Sequence, residues 1–192
     1  MTMKSQAKVF IAGSRRLSRL SAEVKRRIDN IVEKGFVVII GDAHGVDKAV
    51  QQYLDSRQYD NVIVFYMEGG CRNNVGDWAT RTIVAADPLH RDFAYYSTKD
   101  RVMVGEADYG FMLWDGRSRG TLSNIFDLVR HGKPVVVYLA LNKTFYSLHR
   151  SDQLGEMLSR VDPSALHRVN RELRSAAARG RPGRTTEVTP LF

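Results

Sequence analysis

Five short runs of apolar residues constrain the fold of this chain more than any other feature of its sequence. They cover residues 8–12, 36–40, 61–66, 109–114 and 134–139. None alternates regularly between apolar and polar residues, so we expect each to be a strand covered on both faces, as in a parallel sheet. Each run is also much shorter than the roughly 20 residues that a membrane-spanning helix needs.

Apolar residues at helical spacing lie between these runs. The first such stripe follows Ser21, a suitable N-cap, and stops at Gly35. Two more stripes follow the second and fourth runs, at Val46, Val50, Tyr53 and Leu54 and at Leu122, Ile125, Phe126 and Val129. Strands that alternate with amphipathic helices form right-handed βαβ units. The predicted fold class is therefore α/β: a Rossmann-like, doubly wound, mainly parallel sheet of about five or more strands.

The remaining segments give weaker signals. We expect a sheet domain over residues 1–145, a C-terminal helical extension over 146–178 and a flexible basic tail over 179–192. Residues 145–160 and 164–178 are interpreted as two helices of this extension. The polar stretch 67–97 has no clear period, and residues 78–86 are its best candidate for a helix.

Charge and cysteine content limit the classes of partner and compartment. Cys71 is the only cysteine and no secretory signal precedes the first strand, so a cytoplasmic location is expected and no internal disulfide can form. Half of the net charge of +8 lies from residue 160 onward. No aromatic residue interleaves with those arginines before Phe192. We therefore prefer to interpret this region as a solvated extension, with a nucleic-acid-binding arm as the second interpretation.

Three polar turns that contain glycine follow predicted strands. In a doubly wound sheet such turns meet at the carboxyl ends of the strands, where glycine lets the backbone approach a ligand and helix N-termini attract anions. One such turn can serve packing alone, but three together favour a phosphate-binding site. Asp42 is expected to accept from a ribose hydroxyl, and Trp114 to stack on a base. The candidate ligand-binding residues are Gly13, Ser14, Arg15, Gly41, Asp42, Gly45, Asp47, Asp115, Gly116, Ser118, Gly120 and Thr121.

Several well-known catalytic patterns are absent from the sequence. It contains neither GxGxxG nor GxxxxGK[ST], and no HExxH. Its histidines are scattered, so no metal is expected. A P-loop ATPase and a zinc hydrolase are therefore disfavoured, and the expected ligand is a nucleotide or an NAD-derived molecule rather than a fixed cofactor.

Four segments resemble the SLOG superfamily, which includes DprA-type domains, the LOG phosphoribohydrolases and YspA-like domains. They are GSR at 13–15, GDAHGVDKAV at 41–50, RNN at 72–74 and KDRVMVGEADYGFMLWDGRSRGTLSNI at 99–125. The resemblance covers roughly residues 8–140. It implies a Rossmann-like sheet whose loops bind nucleoside phosphates, NAD-derived or ADP-ribose-like molecules, and self-association into a homodimer or higher homo-oligomer. It also adds Arg72, Asn73 and Lys99 to the candidate ligand-binding residues.

The resemblance breaks at the catalytic positions of the LOG enzymes. Lys99 stands where those enzymes have an arginine, and Asn124 where they have a glutamate. Cleavage of an N-glycosidic bond needs a carboxylate, which asparagine cannot supply. Asp115, Lys99 and Asp100 remain candidate catalytic residues of an altered hydrolase. The leading interpretation is binding or sensing of a phosphorylated nucleotide-derived ligand; the alternatives are a nucleotide N-glycoside hydrolase and DprA-like binding of single-stranded nucleic acid.

Overall fold

Seven strands form the single sheet of the computed structural model, which describes residues 6–85 and 93–161 together with His167. The strand order is β4-β3-β2-β1-β5-β6-β7, with β7 antiparallel to β6 and the other neighbours parallel. The strands are β1 (Lys8–Gly13), β2 (Val37–Gly41), β3 (Val62–Met67), β4 (Ala79–Ile83), β5 (Tyr109–Trp114), β6 (Val135–Leu139) and β7 (Thr144–Leu148).

In the described part of the chain, five helices cover the two faces of this sheet. They are α1 (Ala22–Glu33), α2 (Val46–Ser56), α3 (Phe93–Glu106), α4 (Arg119–Arg130) and α5 (Ser151–Ser159). The first begins as its sequence predicts, because the Ser21 side chain accepts a hydrogen bond from the backbone N–H of Val24. Within the two described ranges, no helix is both long and apolar enough to cross a bilayer.

Alternate residues of the central strands enter two separate cores. Val9 and Ile11 pack on the side of α1 and α2, whereas Phe10 packs on the side of α3, α4 and α5. Successive strand side chains point to opposite faces, so a strand buried on both sides has no polar positions. The structure therefore confirms the expected doubly wound α/β fold.

Two segments differ from the sequence-based expectation. Residues 79–83, inside the expected helix 78–86, form the edge strand β4, and residues 144–148, near the start of the expected helix 145–160, form β7. Both are edge strands, whose outward residues need not be apolar: four of the five residues of β4 are exposed and only Ile83 is buried. Their pairing with β3 and β6 selects the extended conformation.

The C-terminal extension is described only in part. The helical interpretation of residues 151–159 is confirmed by α5, which packs against α4 and β7. The boundary expected after residue 145 falls inside β7, and the division into domains stays a prediction. Apart from His167, the expected helix 164–178 and the tail 179–192 lie outside the described residues.

The centre of the sheet contains the switch in strand order. From β1 the chain adds β2, β3 and β4 on one side, whereas β5 pairs on the other side of β1 and leads on to β6. The connections after β1 and β5 therefore diverge at the carboxyl ends of these two strands. This divergence opens a crevice, which is the usual ligand site of open α/β sheets.

One glycine in the turn before α2 provides a test of this architecture. Gly45 has a φ of +80°, and a Cβ there would collide with the backbone of Arg15. We expect Gly45→Ala to lower the free energy of unfolding by about 1–3 kcal/mol or more, measured by urea denaturation. The matched control is Gly155→Ala inside α5, where the new Cβ meets nothing within 4 Å apart from its chain neighbours and the backbone of its own helix; it should raise stability by about 0.5–1 kcal/mol. Equal effects of the two substitutions would contradict this packing.

Candidate functional site

A cleft of about 550 Å³ opens at the carboxyl ends of β1 and β5, between the first turns of α2 and α4 and one face of α3. It lies at the switch in strand order. Its walls are formed by Ala12, Gly13, Arg15, Arg16, Ala43, Asp47, Arg72, Phe93, Tyr96, Ser97, Lys99, Asp100, Met103, Asp115, Arg117, Ser118, Gly120, Thr121 and Asn124.

The cleft brings together most of the residues that the sequence singles out. Those that line it are Gly13, Arg15, Asp47, Arg72, Lys99, Asp100, Asp115, Ser118, Gly120 and Thr121. Six others lie behind its wall or in adjacent turns: Ser14, Gly41, Asp42, Gly45, Asn73 and Gly116. No sequence pattern predicted the part of the wall formed by Arg16, Phe93, Tyr96 and Arg117. Arg16 and Arg117 are direct neighbours in sequence of predicted site residues. Phe93 and Tyr96 lie in residues 67–97, which show no clear helix or strand period.

Asp115 shapes the turn that leads into α4. Its Oδ1 accepts hydrogen bonds from the backbone N–H groups of Arg117 at 2.9 Å and Ser118 at 2.7 Å, and from the Ser14 hydroxyl at 2.9 Å. Ser118 caps the helix, since its Oγ accepts from the backbone N–H and the hydroxyl of Thr121. These contacts direct the N-terminus of α4 into the cleft, where its unsatisfied N–H groups and positive dipole end favour an anion.

Behind the cleft, Asp42 forms a buried ion cluster. Arg72 donates to its two carboxylate oxygens at 2.6 and 2.9 Å, and Lys99 Nζ lies 3.3 Å from Oδ1. Burial by itself raises the pKa of Asp42, but the hydrogen bonds from Arg72 and the charge of Lys99 outweigh it and lower the pKa to about 2. Asp42 is only 1% exposed. Its partners lie within the protein, and its role as an acceptor from a ribose hydroxyl stays a prediction.

Two further carboxylates extend the cluster to the cleft wall. Burial raises the pKa of Asp47 to about 6 in spite of Lys99, and its Oδ2 accepts from the backbone N–H of Ala43 at 3.2 Å. Burial also raises the pKa of Asp100, which accepts from the Asn124 amide at 3.2 Å. A Cβ on Gly41 would lie 2.5 Å from Asp47 Oδ2 and 2.7 Å from Lys99 Nζ. Gly41 thus makes room for the cluster and does not line the cleft itself.

Gln51 fixes the loop that supplies Arg72. This fully buried side chain donates to the carbonyls of Gly41 at 2.9 Å and Asn73 at 3.2 Å, and accepts from the backbone N–H of Val75 at 3.0 Å. The Asn73 amide in turn donates to the Asp42 carbonyl at 2.7 Å. No sequence pattern marks Gln51, because a single polar residue on an amphipathic helix is usually a solvated one.

The aromatic surface of the cleft comes from α3. The guanidinium groups of Arg15 and Arg72 each lie 5.5 Å from the centre of the Tyr96 ring, a distance typical of cation–π contacts. Trp114, which we expected to stack on a base, is instead fully buried and donates from Nε1 to the Ser118 carbonyl at 3.0 Å. The strand β5 turns this side chain into the core, so the half-buried rings of Tyr96 and Phe93 form the aromatic part of the cleft wall.

Charge is unevenly distributed over the cleft. The exposed mouth has Arg15, Arg16 and Arg117, while Asp47 and Asp100 lie on the inner wall. Within residues 6–85 and 93–161, no carboxylate forms a salt bridge with Arg16 or Arg117. In the same part of the chain, no group of three or more His, Cys, Asp or Glu side chains is placed to hold a metal. The mouth of the site is thus suited to an anionic group of a ligand. The carboxylates of the inner wall are suited to hydrogen-bond donors of a ligand.

The raised pKa of Asp47 predicts a pH-dependent stability. The folded protein holds a proton that the unfolded chain, with an ordinary pKa of 3.8, releases, so the free energy of unfolding falls as the pH rises from about 4 to about 6. We expect Asp47→Asn to lose less stability than the wild type between about pH 4 and pH 7, by up to about 3 kcal/mol. Urea unfolding at both pH values measures this difference.

Asp42 is the control of opposite sign. Its lowered pKa means that its stabilising contribution is present above about pH 4 and is lost as the pH falls towards 2. Asp42→Asn should therefore destabilise the protein at neutral pH. It should not make the free energy of unfolding fall more steeply anywhere between about pH 4 and pH 7. An Asp47→Asn variant with the wild-type pH profile would show that burial does not raise the pKa of Asp47.

Comparisons with known proteins identify the type of fold. No protein-family model and no curated protein sequence matches the chain. The solved structure of DNA processing protein A (DprA) from Helicobacter pylori, described for its single-stranded DNA binding mode, is 17% identical with a TM-score of 0.54, over 88% of this chain and 81% of that one. DprA from Streptococcus pneumoniae is 16% identical with a TM-score of 0.51, over 69% of this chain and 50% of that one. The chain thus has a Rossmann-like α/β fold similar to that of these two DprA structures.

Proposed function

We propose that the cleft binds single-stranded DNA through its phosphate groups. The observation that carries this proposal is the group of exposed arginines at the cleft mouth, Arg15, Arg16 and Arg117, next to the N-terminus of α4. Arginine pairs well with phosphate oxygens, and a helix N-terminus adds backbone donors to the same anion. The likeness to a DprA whose structure is described for single-stranded DNA binding supports this choice of ligand by fold analogy.

The dimensions of the cleft suggest how a strand would bind. A volume of about 550 Å³ is typical of sites that enclose a small molecule, so one nucleotide unit of the strand would enter and the rest would lie outside. Its phosphate would face Gly120 and Arg117 at the start of α4. Tyr96 would offer ring surface to a base or sugar, a contact that tolerates different sequences.

Replacement of two mouth arginines tests the proposal. We expect the double variant R15A/R117A to bind a labelled oligothymidylate of about twelve nucleotides about tenfold more weakly per arginine lost, measured by fluorescence anisotropy. The slope of log K against log salt should become shallower by about 1.4, since each lost phosphate contact contributes about 0.7 for a single strand.

The matched control removes the same charge from another face. Arg101 and Arg130 are exposed on α3 and α4, where both act on the Asp127 carboxylate, and neither lines the cleft. R101A/R130A should bind the oligonucleotide nearly as the wild type does. An equal loss of affinity in both double variants would show that the protein attracts the oligonucleotide only by its general charge. No binding by the wild type at low salt would reject single-stranded DNA as the ligand.

A free phosphorylated nucleotide-derived ligand is the second candidate. The observation that favours it is the polar inner wall that Asp47, Asp100 and Asn124 form in the cleft. Such groups suit ribose hydroxyls or the edge of a base. A nucleoside phosphate, NAD or ADP-ribose that fills this site at 100 times its dissociation constant would stabilise the fold by about 2.7 kcal/mol.

A thermal-shift screen with those nucleotides, combined with displacement of the labelled oligonucleotide, separates the two candidates. A shift and displacement by a free nucleotide would favour the small ligand, whereas tight binding of the oligonucleotide alone would favour DNA. Chromatography of the same mixtures for released base tests the N-glycoside hydrolase alternative. Asp100 is the carboxylate to replace in that case, because Asp115 is committed to the turn before α4.

A further inference from the structure

A second depression, of about 450 Å³, lies on the α1–α2 side of the molecule between the β1–α1 loop and α2. We call it the α2 groove; its polar lining consists of Ser18, Arg19, Lys25, Gln52, Tyr53 and Ser56. Two of these residues are cationic, and no lining residue is acidic. This chemistry differs from the mixed charges of the cleft and is suited to a polyanion.

The lysine of this groove is held in place by an aromatic ring. Lys25 Nζ lies 5.3 Å from the centre of the Tyr53 ring. The Tyr53 hydroxyl donates to both oxygens of Asp29 at 2.9 and 3.0 Å, which fixes the ring, and Asp29 is itself paired with Arg57 at 3.2 Å. The nearby carboxylate is thus neutralised by its own partner, and the Lys25 ammonium remains directed at the groove.

The α2 groove and the cleft share the same two structural elements. In the β1–α1 loop, Arg15 and Arg16 line the cleft, and Arg19 lines the groove. In α2, Asp47 lines the cleft and Tyr53 lines the groove. A helix rises about 1.5 Å per residue, so these two positions are separated by about 9 Å along α2. A single phosphate cannot occupy both places, but successive phosphates of one strand can.

We propose that the α2 groove is a second phosphate subsite, which binds the continuation of a single nucleic-acid strand whose end or internal nucleotide occupies the cleft. The inference rests on the proposed function of the cleft. The basic side chains of the β1–α1 loop connect the two sites, with Arg16 at the cleft and Arg19 at the groove, and Lys25 extends this path onto α1. Single-strand binding proteins use such continuous basic paths to follow a phosphate backbone.

Oligonucleotide length and a groove variant together test the proposal. Wild type and R19A/K25A are titrated with labelled oligothymidylates of about three and about twelve nucleotides, by fluorescence anisotropy over a range of salt. We expect both proteins to bind the short strand equally, because it fills the cleft alone. The long strand should bind the wild type more tightly than the short one, and R19A/K25A should lose that gain. The salt slope for the long strand should become shallower by about 1.4, the value for two lost phosphate contacts.

The outcomes distinguish the groove from the cleft. If the short strand binds but length adds nothing, or if R19A/K25A keeps the wild-type affinity and salt slope for the long strand, the groove subsite is rejected while the cleft stands. If the wild type binds neither strand, the proposed function is rejected and the groove subsite with it. R101A/R130A is again the control for charge, and thermal unfolding of each variant checks that it is folded. Equal losses in R19A/K25A and R101A/R130A would also reject the groove.

Discussion

The close approach of β1 to β5 is the constraint on which the site depends. The backbone N–H of Ser14 donates to the Leu113 carbonyl at 3.0 Å, and a Cβ on Gly13 would collide with that carbonyl and lie 2.7 Å from Val46 Cγ2. A glycine at this position therefore lets the end of β1, the end of β5 and the start of α2 converge. The Ser14 hydroxyl then reaches Asp115, which shapes the turn before α4. The close approach of β1 to β5 thus places the N-termini of α2 and α4 at the cleft.

The buried charges behind the cleft have a different role from the exposed ones at its mouth. Asp42 is compensated by Arg72 and Lys99, and removal of one partner would leave a buried charge unpaired. Such a cluster holds the segment around Arg72 against the sheet. Arg15 and Arg117, in contrast, are exposed at the mouth. This division explains how a site with several carboxylates can still present positive charge to a phosphate.

Much of the fold could be predicted because its signals are local. The apolar run at 109–114 and the N-cap at Ser21 were located to the residue, since strand burial and helix capping depend on neighbours in sequence. The edge strands β4 and β7 were not predicted. Their exposed residues give no apolar period, and their extended form depends on pairing with β3 and β6. The hydrogen bonds that select this extended form join residues distant in sequence, so a local sequence pattern does not reveal them.

The sequence alone determined that three glycine-containing turns follow strands of an α/β sheet, and that these turns meet at one edge of it. Only the tertiary structure decided which side chains face the cleft. It turned Trp114 into the core, enclosed Asp42 between Arg72 and Lys99, and placed Tyr96 beside Arg15. The physical reason is that residue type and spacing specify an element and its buried face, whereas the partners of a polar side chain are set by elements distant in sequence.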